Sequence, residues 1–334
     1  MIVFESAQGV LMPRIIGIDI AKRTFDIATL QANGKYRTKT KLANSAVGFK
    51  ELEQWLHKHG EPNAWLLMEA TGTYHEALAD WLHGKGYRVC ILNPAQVAYY
   101  ARSQLQRIKT DKVDAKLIAA YGERHRDELR IWQPEPQAIR RLRALVRRLE
   151  DLQGIQQMER NRLEVADSSV HPSIQAVLQH VDRQITETLK AIQDHIDNDP
   201  DLRNKRELLT SIDGIGDKTA ALLLAELGDP LRFGSCRAIT AFAGLNPRLQ
   251  ESGTYKGQTR ISRTGSSRLR AGLYMPAVSS LKHNATISAL RDRLKARGKT
   301  GKQIVCAAMR KLLHIAYGVL KSGQPFDQKL ALAH

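Results

Sequence analysis

Cysteine is scarce in this chain: three among 334 residues, at positions 90, 236 and 306, with no Cys-x-x-Cys pair. That argues against a disulfide framework or a thiolate zinc site and fits a reducing cytoplasm. No uninterrupted apolar run approaches the roughly 18 residues of a membrane span. The opening MIVFESAQGVLMPR lacks the charged, apolar and cleavable layout of a secretion signal. Gly-rich phosphate loops are missing, which counts against a sugar-kinase-like ATPase despite a GIDI strand near the start. Acids are scarce in one region. Residues 229–334 hold 4 acidic and 19 basic side chains, against 14 and 19 in residues 1–130 and 16 and 13 in residues 131–228. The last third therefore carries nearly all of the net charge of +17. Such a field attracts a polyanion, and nucleic acid is the abundant one in a cytoplasm.

With 43% hydrophobic residues the chain can bury a sizeable core and fits two or three domains. Met12 precedes the first convincing strand, so residues 1–11 read as an upstream-start or disordered extension within a leader over 1–13. Residues 14–130 alternate strands and helices. RIIGIDI, FDIATLQ and YRTKTKLA read as three strands, the last two joined by an NGK turn. Phe49, Leu52 and Leu56 recur at helical spacing behind an N-cap at Asn44 or Ser45. AWLLMEA is a buried strand, Tyr74, Leu78, Trp81 and Leu82 mark a helix, and YRVCIL is a strand closed by Asn93–Pro94. This order predicts an α/β layer with a mixed sheet.

Residues 131–205 differ. Leu142, Leu145, Leu149 and Leu152 form one apolar stripe, and Ile174, Leu178, Val181, Ile185, Leu189, Ile192 and Ile196 form another. The spacing predicts an antiparallel helical hairpin or coiled coil, serving as an arm or dimer element. From residue 206, ELLTSIDGIGDKTAALLLAELGD places two apolar helices around a GIG turn, the pattern of a helix–hairpin–helix. Gly214 and Gly216 would let backbone amides approach a phosphate, with Lys218 at the following helix start. Helical hairpins with a glycine turn also occur purely as packing units. A basic, Gly- and Ser-rich segment follows, and a helix over about 302–320 closes the domain.

Four acids stand out. Asp19 lies inside the first apolar strand, where a charge is costly unless paired or metal-bound, and Glu69 ends the fourth strand. In IKTDKVDAK, a helix would put Asp111 beside Asp114, Lys109 beside Lys112 and Lys112 beside Lys116. Like charge on like costs about 0.2–0.5 kcal/mol per pair on an isolated helix, which fits a solvated face poorly. Two strand acids and two helix acids match a ribonuclease H-like arrangement, whose crowded carboxylates are relieved by divalent metal. Acids at strand ends are also common for no catalytic reason.

GIDIAKRTFDIA, MEATGTYHEALADWLHGKGYRVCILNPAQV and KTDKVDAKLIA together resemble the DEDD transposases of bacterial insertion sequences, the IS-one-ten family with its pilin-inverting relatives. LLTSIDGIGDKTAALLLAELGD, FAGLNPRLQESGT and ISRTGSSRLR resemble that family's second block, and the likeness spans about residues 14–320 in the same order. It implies a RuvC-like (ribonuclease H-like) α/β domain over 14–130, the helical middle, and a mostly α transposase domain over 206–325. It places the four acids on Asp19, Glu69, Asp111 and Asp114, holding magnesium or, in its stead, manganese. It places a nucleophilic serine on Ser252. Ser262, Ser266 and Ser267 are close by, and the residues alone do not choose among them.

The activity this implies is cleavage and rejoining of DNA through a phosphoserine-linked end. Arg260, Arg263 and Arg268 are candidates to stabilise charge at the phosphate, and Lys109 and Lys112 to contact nucleic acid. The partners implied are donor and target DNA, an element-encoded guide RNA, and a second copy or more of the chain through the helical middle. The acids and the serine would lie on separate domains and meet across a dimer. The setting implied is bacterial cytoplasm, in association with the nucleoid. The alternatives are a junction-resolving metal endonuclease with the same acids and no covalent step, and a non-catalytic DNA-binding protein.

Overall fold

A computed structural model describes residues 13–59, 63–70, 72–104, 111–248, 251, 252, 255, 256, 260–262 and 264–328. For 111–113, 251, 252, 255, 256 and 260 it describes the backbone alone. The leader residues 1–11 lie outside this set. The chain divides into two compact units, Met1–Pro134 and Glu135–His334.

The first unit is built on a five-stranded mixed sheet. Its strands are β1 (Ile15–Ile20), β2 (Thr24–Leu30), β3 (Tyr36–Ala43), β4 (Trp65–Glu69) and β5 (Arg88–Leu92), in spatial order β3-β2-β1-β4-β5. The first three run as an antiparallel meander, and β1, β4 and β5 are parallel. Alternation along β1 splits the core in two. Ile16, Ile18 and Ile20 face α1 (Ala46–Lys58) and α2 (Glu76–Gly84), with Phe49, Leu52, Leu56, Leu78 and Leu82. Ile15 on the other face joins Leu67, Leu92, Val97, Leu117, Ile118 and Tyr121. These last four come from α3 (Pro94–Ser103) and α4 (Asp111–Arg124). Helices on both faces account for strands that read as near-continuous apolar runs. Asn93 opens α3: its Oδ1 accepts from Ala95 N at 2.9 Å, and Gln96 Oε1 accepts from Asn93 N at 3.2 Å.

The second unit is helical. Two long helices, α5 (Gln137–Val165) and α6 (His171–Asp197), pair along their length, and α7 (Pro200–Thr210) and α8 (Asp217–Leu227) flank the GIG turn. After α9 (Cys236–Phe242) come four two-residue strands: β6 (Pro247–Arg248), β7 (Glu251–Ser252), β8 (Tyr255–Lys256) and β9 (Arg260–Ile261). The strands pair β6 with β9 and β7 with β8, making a narrow ribbon. Helices α10 (Ser267–His283), α11 (Ala285–Ala296) and α12 (Gly301–Ser322) finish the unit. Helix α12 is long and apolar enough to cross a membrane by composition alone, but Ala308, Leu312, Leu313 and Ala316 on it are fully buried. It is a core helix. Helix α8 has little polar surface, since Ala220 to Leu227 are all buried, and the base of α5 packs on it through Leu142, Val146 and Leu149.

A charged brace closes this core. Glu135 lies just ahead of α5 and binds Arg143 through both carboxylate oxygens; the Nη2 bond is 2.9 Å. Arg143 Nε also donates to Ala225 O at 2.8 Å, and Arg232 lies 3.4 Å from Glu135, stacked on Phe233 and Phe242. Burial alone would push the Glu135 carboxyl up. The Arg143 hydrogen bond and the charges of Arg143, Arg232 and Arg140 more than offset it and hold the carboxyl below its usual range. A folded-state value below the unfolded one gives stability that is complete at neutral pH and fades as pH falls through the folded value. Glu135→Gln is expected to lose about 1.5–3 kcal/mol at pH 7. Its deficit against the parent should shrink below about pH 4, measured by urea unfolding across pH.

Candidate active site

Register brings the strand acids together. Gly17 pairs with Leu67 and Ile18 with Met68, so the next residues, Asp19 near the end of β1 and Glu69 at the end of β4, lie at the same level on adjacent parallel strands. Side chains alternate along a strand, so Asp19 shares the face of Gly17, and Glu69 that of Leu67. That is the face covered by α4. A Cβ on Gly17 would overlap Ala115 O and Ala119 N, and one on Gly122 would overlap the side chains of Leu67 and Ile15. Helix α4 therefore runs antiparallel to β1, its far end over Ile15 and its first turn toward Asp19. Asp114 sits one residue before the contact at Ala115. Asp111 opens the same turn, but its side chain lies outside the described residues, as does that of Lys112. Asp19, Glu69 and Asp114 are all half-buried.

Two further residues join this site without having stood out in the sequence. Asp26 on β2 is the antiparallel partner of Asp19, hence on the same face, and its Oδ1 accepts from Lys41 N at 2.7 Å. Lys41 is held at φ +58, a left-handed conformation unusual for lysine. The alternating pattern of β2 held the signal for Asp26, but only the pairing register shows that it faces Asp19. Asn44 is the other. The N-cap of α1 is Ser45, while Asn44 Nδ2 donates to Ala21 O and Tyr74 O, each at 3.1 Å, and its backbone N to Arg23 O at 2.8 Å. It ties together the loops that leave β1 and β4, just past Asp19 and Glu69.

Among the described residues no three of His, Cys, Asp and Glu stand close enough to enclose a metal ion. An all-carboxylate row on one face nonetheless has the hard oxygen donors that a divalent cation of the magnesium type takes. Lys109 lies outside the described residues, and Lys116 places its amine 5.7 Å over the Tyr36 ring.

In the second unit, Ser252 ends β7 and pairs with Tyr255 of β8. Its side chain and that of Arg260 lie outside the described residues, as does Arg263 altogether. The ribbon is rooted through Asn246, whose Oδ1 accepts from buried Thr240 at 2.7 Å and whose carbonyl accepts from Ser262 N at 2.8 Å. Two neighbouring serines have structural duties. Ser266 caps α10, accepting from Leu269 N and donating to the buried Glu226 carboxylate, and Ser262 Oγ accepts from Thr264 N. Arg268 is paired with Glu150 at 2.9 Å. At the GIG turn, Gly214 has φ +100 and its missing Cβ makes room for Ser280, while Gly216 and Lys218 are exposed.

Comparison with known proteins decides the family. Residues 16–172 match a family described as transposase, and residues 206–291 match the transposase IS116/IS110/IS902 family. The pilin gene-inverting proteins of Moraxella bovis and Moraxella lacunata are 38% and 37% identical, each over 94% of this chain and 98% of the relative. The chain belongs to the IS116/IS110/IS902 family of transposases. A more distant relative, the transposase for insertion sequence element IS1111A of Coxiella burnetii, is 26% identical over 81% of this chain and 78% of its own length. Members of this family are enzymes that cleave and rejoin DNA, and its DEDD name suggests divalent-metal use.

The seat of α4 at Gly17 is directly testable. Gly17→Ala puts a methyl group into helix backbone that cannot rotate away, and it is expected to cost about 1–3 kcal/mol. The urea midpoint should fall and DNA rejoining should drop with it. Unchanged stability would mean that α4 does not rest there.

Proposed function

We propose that this transposase cuts and rejoins DNA by a two-part chemistry. Asp19, Glu69, Asp111 and Asp114 hold magnesium, and Ser252 is the nucleophile. The observation that carries the first part is the strand order β3-β2-β1-β4-β5 with acids at the matched ends of the parallel pair β1 and β4, and the first turn of α4 on the same face. This placement supports the reading of a RuvC-like, ribonuclease H-like site. Divalent cations held there would offset the mutual repulsion of the carboxylates and lower the energy of charge developing on the attacked phosphate.

The second part rests on the β7–β8 pair. Ser252 ends β7 opposite Tyr255 of β8 in the strongly basic last third of the chain, and its neighbours Ser262 and Ser266 are occupied in loop and cap hydrogen bonds. In the reaction, Ser252 Oγ gives up its proton to a base and forms a bond to phosphorus, and the bridging P–O bond breaks as the departing DNA oxygen takes a proton. The phosphoserine-linked end keeps the energy of the phosphodiester for rejoining, whereas attack by water would lose it. Exposed Gly216 and Lys218 at the start of α8 support a phosphate contact of the helix–hairpin–helix kind. An element-encoded RNA that pairs with donor and target DNA, and a dimer formed through α5 and α6, complete the reading.

Two substitutions separate the parts. Asp114→Asn is expected to lower strand exchange by more than about 100-fold, on the scale of removing one electrostatic group from a catalytic site. Ser252→Ala should abolish the covalent protein–DNA adduct, trapped on a nicked suicide substrate, while DNA binding persists. Cleavage that survives in Ser252→Ala without an adduct would identify a hydrolytic nuclease instead.

A further inference from the structure

The turn between α11 and α12 carries a concentration of positive charge. Arg293, Lys295, Arg297, Lys299 and Lys302 fall within ten residues and all are exposed. The neighbouring Arg291 is used structurally: Nη1 donates to Leu281 O at 2.6 Å and Nε to Asp292 Oδ1 at 2.8 Å. Asp292 is the one acid in the stretch. Its carboxyl is held low first by the Arg291 hydrogen bond, with smaller contributions from the charges of Arg291 and Lys295. Among the described residues, Arg293, Arg297, Lys299 and Lys302 have no acid within ion-pair distance.

Helix electrostatics explains part of this cluster and is opposed by the rest. Arg293 and Lys295 lie in the last turn of α11, where cations offset the negative end of the helix dipole. Lys299 precedes the cap of α12 and Lys302 lies in its first turn, the positive end, and that turn contains no acid. There each cation is unfavourable by a few tenths of a kcal/mol to about 1 kcal/mol. The turn is also bare. A Cβ on Gly298 or Gly301 would meet nothing within 4 Å, so neither glycine is required for packing, although Gly298 does adopt φ +69.

The bases of both helices are fixed. Asn284, fully buried, caps α11 and reaches Asp213 O at 3.3 Å, Thr286 and Ile287 are buried, and α12 enters the core from Ile304 onward. The cations are therefore presented on rooted helices.

We propose that this elbow, residues 293–302, is a contact surface for the phosphate backbone of duplex DNA. Charge complementarity supplies the attraction, and the glycines leave room for a close approach. Residues 285–304 contain no aromatic side chain on which an unpaired base could stack, so the surface suits a duplex better than a splayed single strand. It reads no sequence; it adds affinity and register to whatever site the enzyme selects. The choice of DNA rests on the transposase family, and the contact itself is independent of the catalytic residues proposed above.

The test uses the full chain carrying Arg293→Gln, Arg297→Gln, Lys299→Gln and Lys302→Gln, and a 30-base-pair duplex of arbitrary sequence. Binding is followed by fluorescence anisotropy across salt, in buffer without divalent metal, so that failure of the catalytic reading would leave the result untouched. Each lost phosphate contact should lower the slope of log K against log salt by about 0.9, with a total drop of about 2–4. Affinity at about 0.1 M salt should fall roughly 10- to 100-fold. A chain with Arg293→Lys and Arg297→Lys should bind as the parent does. An unchanged slope and affinity in the four-glutamine chain would overturn the proposal. Equal losses on a single-stranded oligonucleotide, or larger ones on double-stranded RNA, would overturn the assignment to duplex DNA.

Discussion

The placing of the acids in the N-terminal unit depends on how closely α4 can approach β1. A side chain of any size at position 17 would hold the helix off; bare Cα atoms at Gly17 and Gly122 let helix and strand touch. That contact decides which turn of α4 lies over which rung of the sheet. With the helix seated at Ala115 and Ala119, its first turn and no other meets the level of Asp19 and Glu69. Carboxylates gathered there repel one another, and Asp26 adds a further acid on the neighbouring strand. The arrangement is sustained by apolar packing a turn or two away, through Leu117, Ile118 and Tyr121 on α4 against Ile15, Leu67 and Leu92. Fully burying one such side chain stabilises by about 1.5–3 kcal/mol, more than the few tenths lost per exposed like-charged pair.

In the second unit, side chains at helix junctions do comparable positioning work. Asp213 O accepts from both Ser280 and Asn284, pinning the GIG turn to the end of α10 and the start of α11. Gly214 is glycine because Ser280 occupies the place of its Cβ. Its role in the described structure is thus packing, and any phosphate contact at this turn falls to the exposed Gly216 and Lys218. Ser266 similarly joins the cap of α10 to a carboxylate buried on α8. A serine so engaged is poorly placed to act as a nucleophile, which narrows a choice that composition left open.

The strands, the mixed sheet, the long helical pair and the order of the acids were legible in sequence because each is a matter of period or spacing. Contacts between elements were not. Gly17 sits unremarked within GIDI, and only the crossing of α4 shows why it has no side chain. Asp26 looks like one polar residue of an alternating strand until register sets it opposite Asp19. Spacing left the cap of α1 to Asn44 or Ser45; Ser45 takes it, and only the fold shows that the Asn44 amide holds two loops. The lysines of IKTDKVDAK show the same limit: Lys116 is turned onto Tyr36, a neighbour that helical spacing could not reveal.

Net charge has to be divided in the same way before it says anything about a partner. Many arginines of the basic third are structural. Arg268 pairs with Glu150, Arg270 Nη1 reaches the carbonyls of Ala243, Gly265 and Ser266, and Arg291 holds Leu281 and Asp292. A guanidinium held by two or three acceptors has little left to offer a phosphate. Cations whose position works against their own helix are the informative ones, because folding alone gives no reason to keep them. By that criterion the excess of +15 in residues 229–334 is no uniform coat. Arg268, Arg270 and Arg291 are tied to acceptors around α10 and α11, whereas Lys299 and Lys302 stand at the positive end of α12, whose first turn holds no acid.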